Sequence, residues 1–327
     1  MAALICSCAQ STSVATVPSP SPPGALADTW LWDLHTWERV GASGPSGRSL
    51  ASLAFDDKRD MFVLFGGATA GGASDETWTF HGTWKLQSPA HRPGARWGAG
   101  LGYDPRSGLV VLYGGHIAAG AEEGTSGDDT WTWNGEDWTR VDGADQPGHR
   151  DGPRLVTAGD KLLLVTGHDF NVTYYGDAWR WTGSAWISAD RPPRPPGRGS
   201  PAVIWSPSDA ALYLFGGTGL NPDVGPGNSG KPLGDAWKLQ DGAWTQLPGT
   251  GPPPLPNSNA VWDANTGAIV IMLGTNCPTP SGDAWSWDGA RWSQAPQPGI
   301  PARWGAALAQ EPAGYVLLFG GSNKAGC

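Results

Sequence analysis

From residue 28 onward the hydrophobic and polar positions repeat in a short, strand-like rhythm. Apolar runs of four to six residues close on glycine: FVLFGG (62–67), VVLYGG (110–115), LYLFGG (212–217) and YVLLFGG (315–321). Two variants, LLLVTG (162–167) and IVIMLGT (269–275), lack one glycine. These runs are too short for helices and rich in β-branched and aromatic residues, so they predict buried strands. An acidic residue, any residue and Trp form a recurring triplet: Asp28-Thr29-Trp30, Glu76-Thr77-Trp78, Asp129-Thr130-Trp131, Asp177-Ala178-Trp179, Asp235-Ala236-Trp237 and Asp283-Ala284-Trp285. The tryptophans are spaced by 48, 53, 48, 58 and 48 residues. A second Trp follows six or seven residues later, at 37, 84, 138, 186, 244 and 292. Turn pairs such as Asn134-Gly135, Asp241-Gly242 and Asp288-Gly289 lie between the two, which predicts a strand, a tight turn and a strand. No segment carries a convincing helical period.

Four strands in a period near 50 residues, with a double glycine ending the second strand, resemble the bacterial kelch repeats related to the central domain of galactose oxidase. The resemblance covers residues 28–321. It implies an all-β fold, a six-bladed kelch-type β-propeller with four antiparallel strands per blade. The chain opens on a third-and-fourth-strand hairpin (28–40) and closes on a first-and-second-strand hairpin (303–321). These two are expected to pair and close the ring, which removes open sheet edges. The expected division is a signal-like remnant (1–8), a Ser/Pro-rich linker (9–27), the propeller (28–321) and a short tail (322–327).

Composition sharpens this picture. Gly (49) and Pro (30) make up about a quarter of the 327 residues, near the range of disordered chains, but 20 Trp argue for a packed protein. A net charge of −9 without a Lys/Arg run leaves nucleic acid out as an expected partner. No apolar stretch is long enough for a membrane-spanning helix. Ile5-Cys6-Ser7-Cys8 resembles a bacterial lipobox, which makes Cys8 a lipidation candidate and the expected location extracytoplasmic, secreted or lipid-anchored; a ragged N-terminus is the alternative. Cys277 and Cys327 follow the ends of the fifth and sixth second strands, so adjacent blades would bring them together as a disulfide candidate outside the cytoplasm.

Arg48, Arg96, Arg150, Arg198 and Arg303 recur near the start of the first strand, with Leu255 at the fifth position. In kelch folds that strand lines a central channel, so the resemblance implies a ring of guanidiniums at one mouth. They would form either an anion-binding funnel or bridges to loop carbonyls and triplet carboxylates, and recurrence with the repeat favours bridges. Trp97 and Trp304 directly follow such arginines and are candidates for ligand stacking, whereas the regular spacing of the other tryptophans points to packing. His116 and His168 follow the glycines and would approach the same mouth. The variable loops 115–129 and 217–235 carry His116, Glu122, Glu123, Asp128, Asn221, Asp223, Asn228 and Lys231, the expected recognition surface.

The copper-radical chemistry of galactose oxidase needs a crosslinked Tyr–Cys pair, a second Tyr and two His, and the six His here show no close pair at ligand spacing. No cofactor or metal is expected. Phosphate-binding, dinucleotide-binding and serine-nucleophile motifs are absent. The expected function is an extracytoplasmic, monomeric module that recognises a protein or a glycan. The alternative is a carbohydrate-active enzyme or lectin of the sialic-acid mutarotase type, with Glu76, Glu122 or Glu123 as its acid.

Overall fold

The structure, a computed structural model, describes residues 24–41, 43–118, 124–143, 146–169, 173–220, 230–249, 251–276, 279–296 and 299–324. Among these residues there is no helix, and every strand pairs antiparallel in one of nine sheets. Six sheets have four strands. In chain order their first strands are Ser52–Asp56, Gly100–Asp104, Arg154–Ala158, Ala202–Ser206, Asn259–Asp263 and Ala307–Gln310. The glycine-ended runs form the second strands, the acidic–x–Trp triplets open the third except in the fifth sheet, where the triplet lies within it, and the second tryptophans open or sit within the fourth. The sixth sheet draws its third and fourth strands, Thr29–Trp32 and Trp37–Val40, from the other end of the chain; Thr29 pairs with Phe319 and Trp32 with Val316. Three small three-stranded sheets are led by Arg48–Ser49, Arg96–Trp97 and Arg198–Gly199. The arrangement is consistent with a propeller-like repeat fold.

The core lies between successive sheets. The fourth-strand Trp of one sheet meets the last second-strand aromatic of the sheet before it: Trp138 on Phe65, Trp186 on Tyr113, Trp292 on Phe215 and Trp84 on Phe319, all edge-on at 4.9–5.6 Å. Edge-on contact places a ring's positive rim against its neighbour's negative face, adding about 0.5–1.5 kcal/mol to the burial itself. The indole N–H is satisfied by the middle residue of the preceding triplet when that residue is Thr. Trp84 donates to Thr29, Trp138 to Thr77 and Trp186 to Thr130. The triplet before Trp244 holds Ala178, and Trp244 turns to Asp190 instead.

The expected tight hairpin forms in one repeat. Gln240 pairs with Ala243 across Asp241-Gly242, both at positive φ (50° and 75°). In the second, third, fifth and sixth sheets four residues intervene, as between Trp133 and Trp138. There a side-chain oxygen at the first loop position accepts backbone N–H groups further on: Asn134 from Glu136 and Asp137, Asp288 from Ala290 and Arg291. The Asn or Asp thus acts through its side-chain acceptor as an Asx turn, which a dipeptide reading does not distinguish from a two-residue turn.

Two residues beyond each recurring arginine position stands a residue in the left-handed region: Leu50, Gly98, Gly152, Ser200, Asn257 and Gly305, with φ of 49–65°. That conformation aims their peptide groups sideways from sheet to sheet. Gly98 N donates to Leu50 O, Gly152 to Gly98, Ser200 to Gly152 and Asn257 to Ser200, at 2.8–3.2 Å, and Leu50 N donates to Gly305 O at 2.7 Å.

Candidate functional site

All five recurring arginines are buried, at most 2% exposed. Arg96 shows their common pattern. Its Nε donates to Gly94 O, its Nη1 to Gly114 O, and its guanidinium forks onto both oxygens of Asp129 at 2.6 and 2.9 Å. Arg150 does the same to Asp177, Arg198 to Asp235 and Arg303 to Asp28. Arg48 reaches Glu76 by one nitrogen and Ser74 by another. Each carboxylate also accepts the indole N–H of its own triplet, as in Trp131 to Asp129 at 2.6 Å. Burial opposes ionisation of these acids, but the arginine and indole hydrogen bonds together with the arginine charge outweigh it and hold Asp28, Glu76, Asp129, Asp177 and Asp235 below their ordinary values.

The backbone of the same residues ties neighbouring repeats. Gly67 N donates to Arg96 O, Gly115 to Arg150, Gly167 to Arg198 and Gly321 to Arg48. At Gly66 a side chain is excluded, since a Cβ there at φ 68° would stand 2.5 Å from Arg96 O. Arg48, Arg96, Arg150 and Arg198 are thus clasps, each with its carbonyl on the preceding repeat and its guanidinium on its own, and Arg303 makes the guanidinium half of the same clasp. In the fifth repeat Leu255 is buried where the arginine would be; Asp283 accepts from Ser281, and the buried Trp285 N–H has no partner among the described residues.

The other candidates fall into two places. Trp97 stacks on His116 at 4.3 Å between centroids, and His116 Nδ1 lies 3.5 Å from Asp151 Oδ2, which also accepts from Ser126. Asp151 and His168 exchange both backbone hydrogen bonds, and the His168 ring stacks on Tyr174 at 5.2 Å. The second and third repeats therefore assemble one aromatic and polar cluster: Trp97, His116, Asp151, His168 and Tyr174. Burial holds His168 below the ordinary histidine value, and the nearby Asp151 charge opposes this in part. Asp151 Oδ1 and His168 Nδ1 are buried without a partner among the described residues. Trp304 stands apart, donating its N–H to Lys324 O.

Asp128 lies 3.6 Å from His149, and the exposed Lys231 sits in a two-residue strand. Cys8, Glu122, Glu123, Asn221, Asp223, Asn228, Cys277 and Cys327 lie outside the described residues. Among the described residues no three His, Cys, Asp or Glu come together as a metal-binding group.

Sequence reading missed Asp151 and Tyr174, whose contact with His168 joins residues across loops. It also missed Arg154. This arginine stands four residues past the third clasp, where the other repeats carry Ser52, Gly100, Ala202, Asn259 and Ala307, a break in pattern visible in an aligned repeat. No family model matches the chain, and no curated protein is significantly similar to it.

Proposed function

We propose that the chain is a closed six-bladed propeller of the kelch type that serves as a binding module for a protein or glycan, through the face carrying the strand-approach and post-glycine loops. Three contacts support closure, because each repeats between first and last repeats a bond found between chain neighbours. Gly321 to Arg48 copies Gly67 to Arg96, Trp84 to Thr29 copies Trp138 to Thr77, and Leu50 to Gly305 copies Gly98 to Leu50. A ring built this way is a rigid base, and variable loops on a rigid base are where recognition concentrates.

The observation that carries the binding reading is the cluster of Trp97, His116, Asp151, His168 and Tyr174. Most polar atoms buried in a fold are hydrogen-bonded, and leaving one unmet costs about 1–3 kcal/mol. Two such atoms, Asp151 Oδ1 and His168 Nδ1, occur in this one cluster beside two stacked aromatic pairs. That combination suits a ligand with hydroxyl or amide groups and an apolar face, as sugars and peptide side chains have. The proposed location is extracytoplasmic, on the strength of the Cys8 motif and the Ser/Pro-rich stretch behind it.

The test is binding of labelled protein to an array of glycans and extracellular proteins, beside Trp97→Ala and Asp151→Asn variants with unchanged melting behaviour. Saturable binding to one ligand class that both variants lose supports the site. Binding that both variants retain at full strength refutes it.

A further inference from the structure

The first strands of the six sheets line a cavity of about 130 Å³. One tier of that strand is equivalent in every repeat, because each of its residues pairs with the one just before the positive-φ turn. The tier comprises Ser52, Gly100, Arg154, Ala202, Asn259 and Ala307. The three members with polar side chains all lean the same way, onto a carbonyl of the next sheet. Ser52 Oγ donates to Ala99 O at 2.7 Å, Arg154 Nε to Pro201 O at 2.8 Å and Asn259 Nδ2 to Ala306 O at 3.4 Å.

Serine and asparagine perform this bracing without a charge. Arg154 is longer, continues along the cavity wall to Ser258 O at 3.4 Å, and brings a guanidinium into the cavity. Each of the five clasp arginines is matched to a carboxylate within 2.6 Å. Arg154 is not: among the described residues no acid lies within ion-pair distance of it, and its hydrogen bonds, from Nε and Nη2, go to carbonyls alone. Burial, with no acid to offset it, draws this guanidinium down to about 10. Arg154 is half-buried on the cavity wall; withdrawing a charge even partly from water without a counter-charge is costly, and neutral side chains do the bracing elsewhere in the tier. Gly100 and Ala202, on the two adjacent first strands, bring no polar side chain to this part of the tier, and Leu155 packs beside Gly100.

We propose that Arg154 anchors an anion site in this cavity and takes a carboxylate. A guanidinium offers parallel donors that match the two oxygens of a carboxylate, and the attraction strengthens away from bulk water. The cavity admits a small carboxylate with some water, since on the same measure a single water needs only about 10–15 Å³. In a chain of net charge −9 a long-range pull on anions is weak, so binding depends on the local fork. The site stands on the cavity alone and is independent of the ligand at the loop face.

The experiment titrates acetate against chloride at constant ionic strength and follows thermal unfolding of the wild type, Arg154→Met and Arg154→Lys. The expected result is a saturable rise of roughly 2–4 °C in the wild type, a weaker one in Arg154→Lys and none in Arg154→Met. An equal rise in Arg154→Met overturns the proposal, as does a wild type that does not respond. A saturable response to sulfate or chloride equal to that with acetate overturns the carboxylate assignment. If Arg154→Met fails to fold, line broadening of ¹³C-acetate by the wild type decides. Broadening that saturates and is displaced by propionate sustains the site, and broadening that only scales with protein concentration overturns it.

Discussion

Asp129 shows how much one residue carries in this molecule: it pairs Arg96, holds the indole of Trp131 and sits nearly buried. Removing one partner of such a pair strands the other, so Arg96→Ala is expected to cost about 3–5 kcal/mol in urea unfolding. A loss under 1 kcal/mol would mean the pair is incidental. Acid acts on the same bonds. His168 has its folded value depressed, so its contribution begins to fade as pH falls below the ordinary 6.5, where the unfolded chain takes up a proton. The clasp aspartates are depressed too, and their contribution is whole above the ordinary 3.8 and lost as pH falls through the lower folded values. The denaturation midpoint should therefore drop in two steps, a shallow one below about pH 6.5 and a steep one below about pH 4, with His168→Gln removing only the first. A single step would contradict this. Thr166 holds the turn position given to glycine in four other repeats, at φ 61° with its hydroxyl buried and without a partner among the described residues. A β-branched residue is strained there, so Thr166→Gly is expected to stabilise by about 1 kcal/mol, a rise in melting temperature that calorimetry would read.

Among the elements, the strand pattern was readable because alternation and glycine-ended runs record burial directly. Partnerships between strands were not. The Thr of Glu76-Thr77-Trp78 looks like a β-former, yet its hydroxyl is what Trp138 of the next sheet needs. Thr77→Ala should cost about 1–2 kcal/mol by leaving that N–H unmet, while Trp138→Phe made in the Thr77→Ala background should cost less than in the wild type. A double-mutant cycle with no coupling would refute the bond. The fifth repeat shows the reverse case, where losses go together. It lacks the clasp arginine and the double glycine, its central strands run to nine residues each, and its register shifts between Met272 and Gly274. Leu273 keeps the positive φ at 55°, so the turn survives while the clasp does not.

For the whole molecule, the decisive contact is the pairing of Thr29–Trp32 with Val316–Phe319. It gives the sixth sheet two strands from each end of the chain, so the sheet forms only when both ends are in place. Removing residues 24–40 should leave the second strand of that sheet with an unpaired edge and Phe319 without strand cover, and the product should aggregate in size-exclusion chromatography. A monomeric, cooperatively folding product would refute the proposed ring. The arginines illustrate the limit of sequence reading at this scale. Their recurrence fits a structural role and a funnel alike, and only the tertiary structure shows that each is buried against a carboxylate of its own repeat.

The repeat length, the strands, the all-β class and the pairing of the chain ends are local or periodic properties, written in side-chain chemistry at fixed spacings and so readable from the residues alone. What lies between repeats is not periodic in the same way. The cluster around Asp151, the reach of Arg154 to Pro201 and Ser258, and the peptide belt from Leu50 to Gly305 each join residues tens to hundreds of positions apart. Such contacts exist only once the sheets are arranged side by side, because folding sets which loop faces which and which charge is left without an opposite.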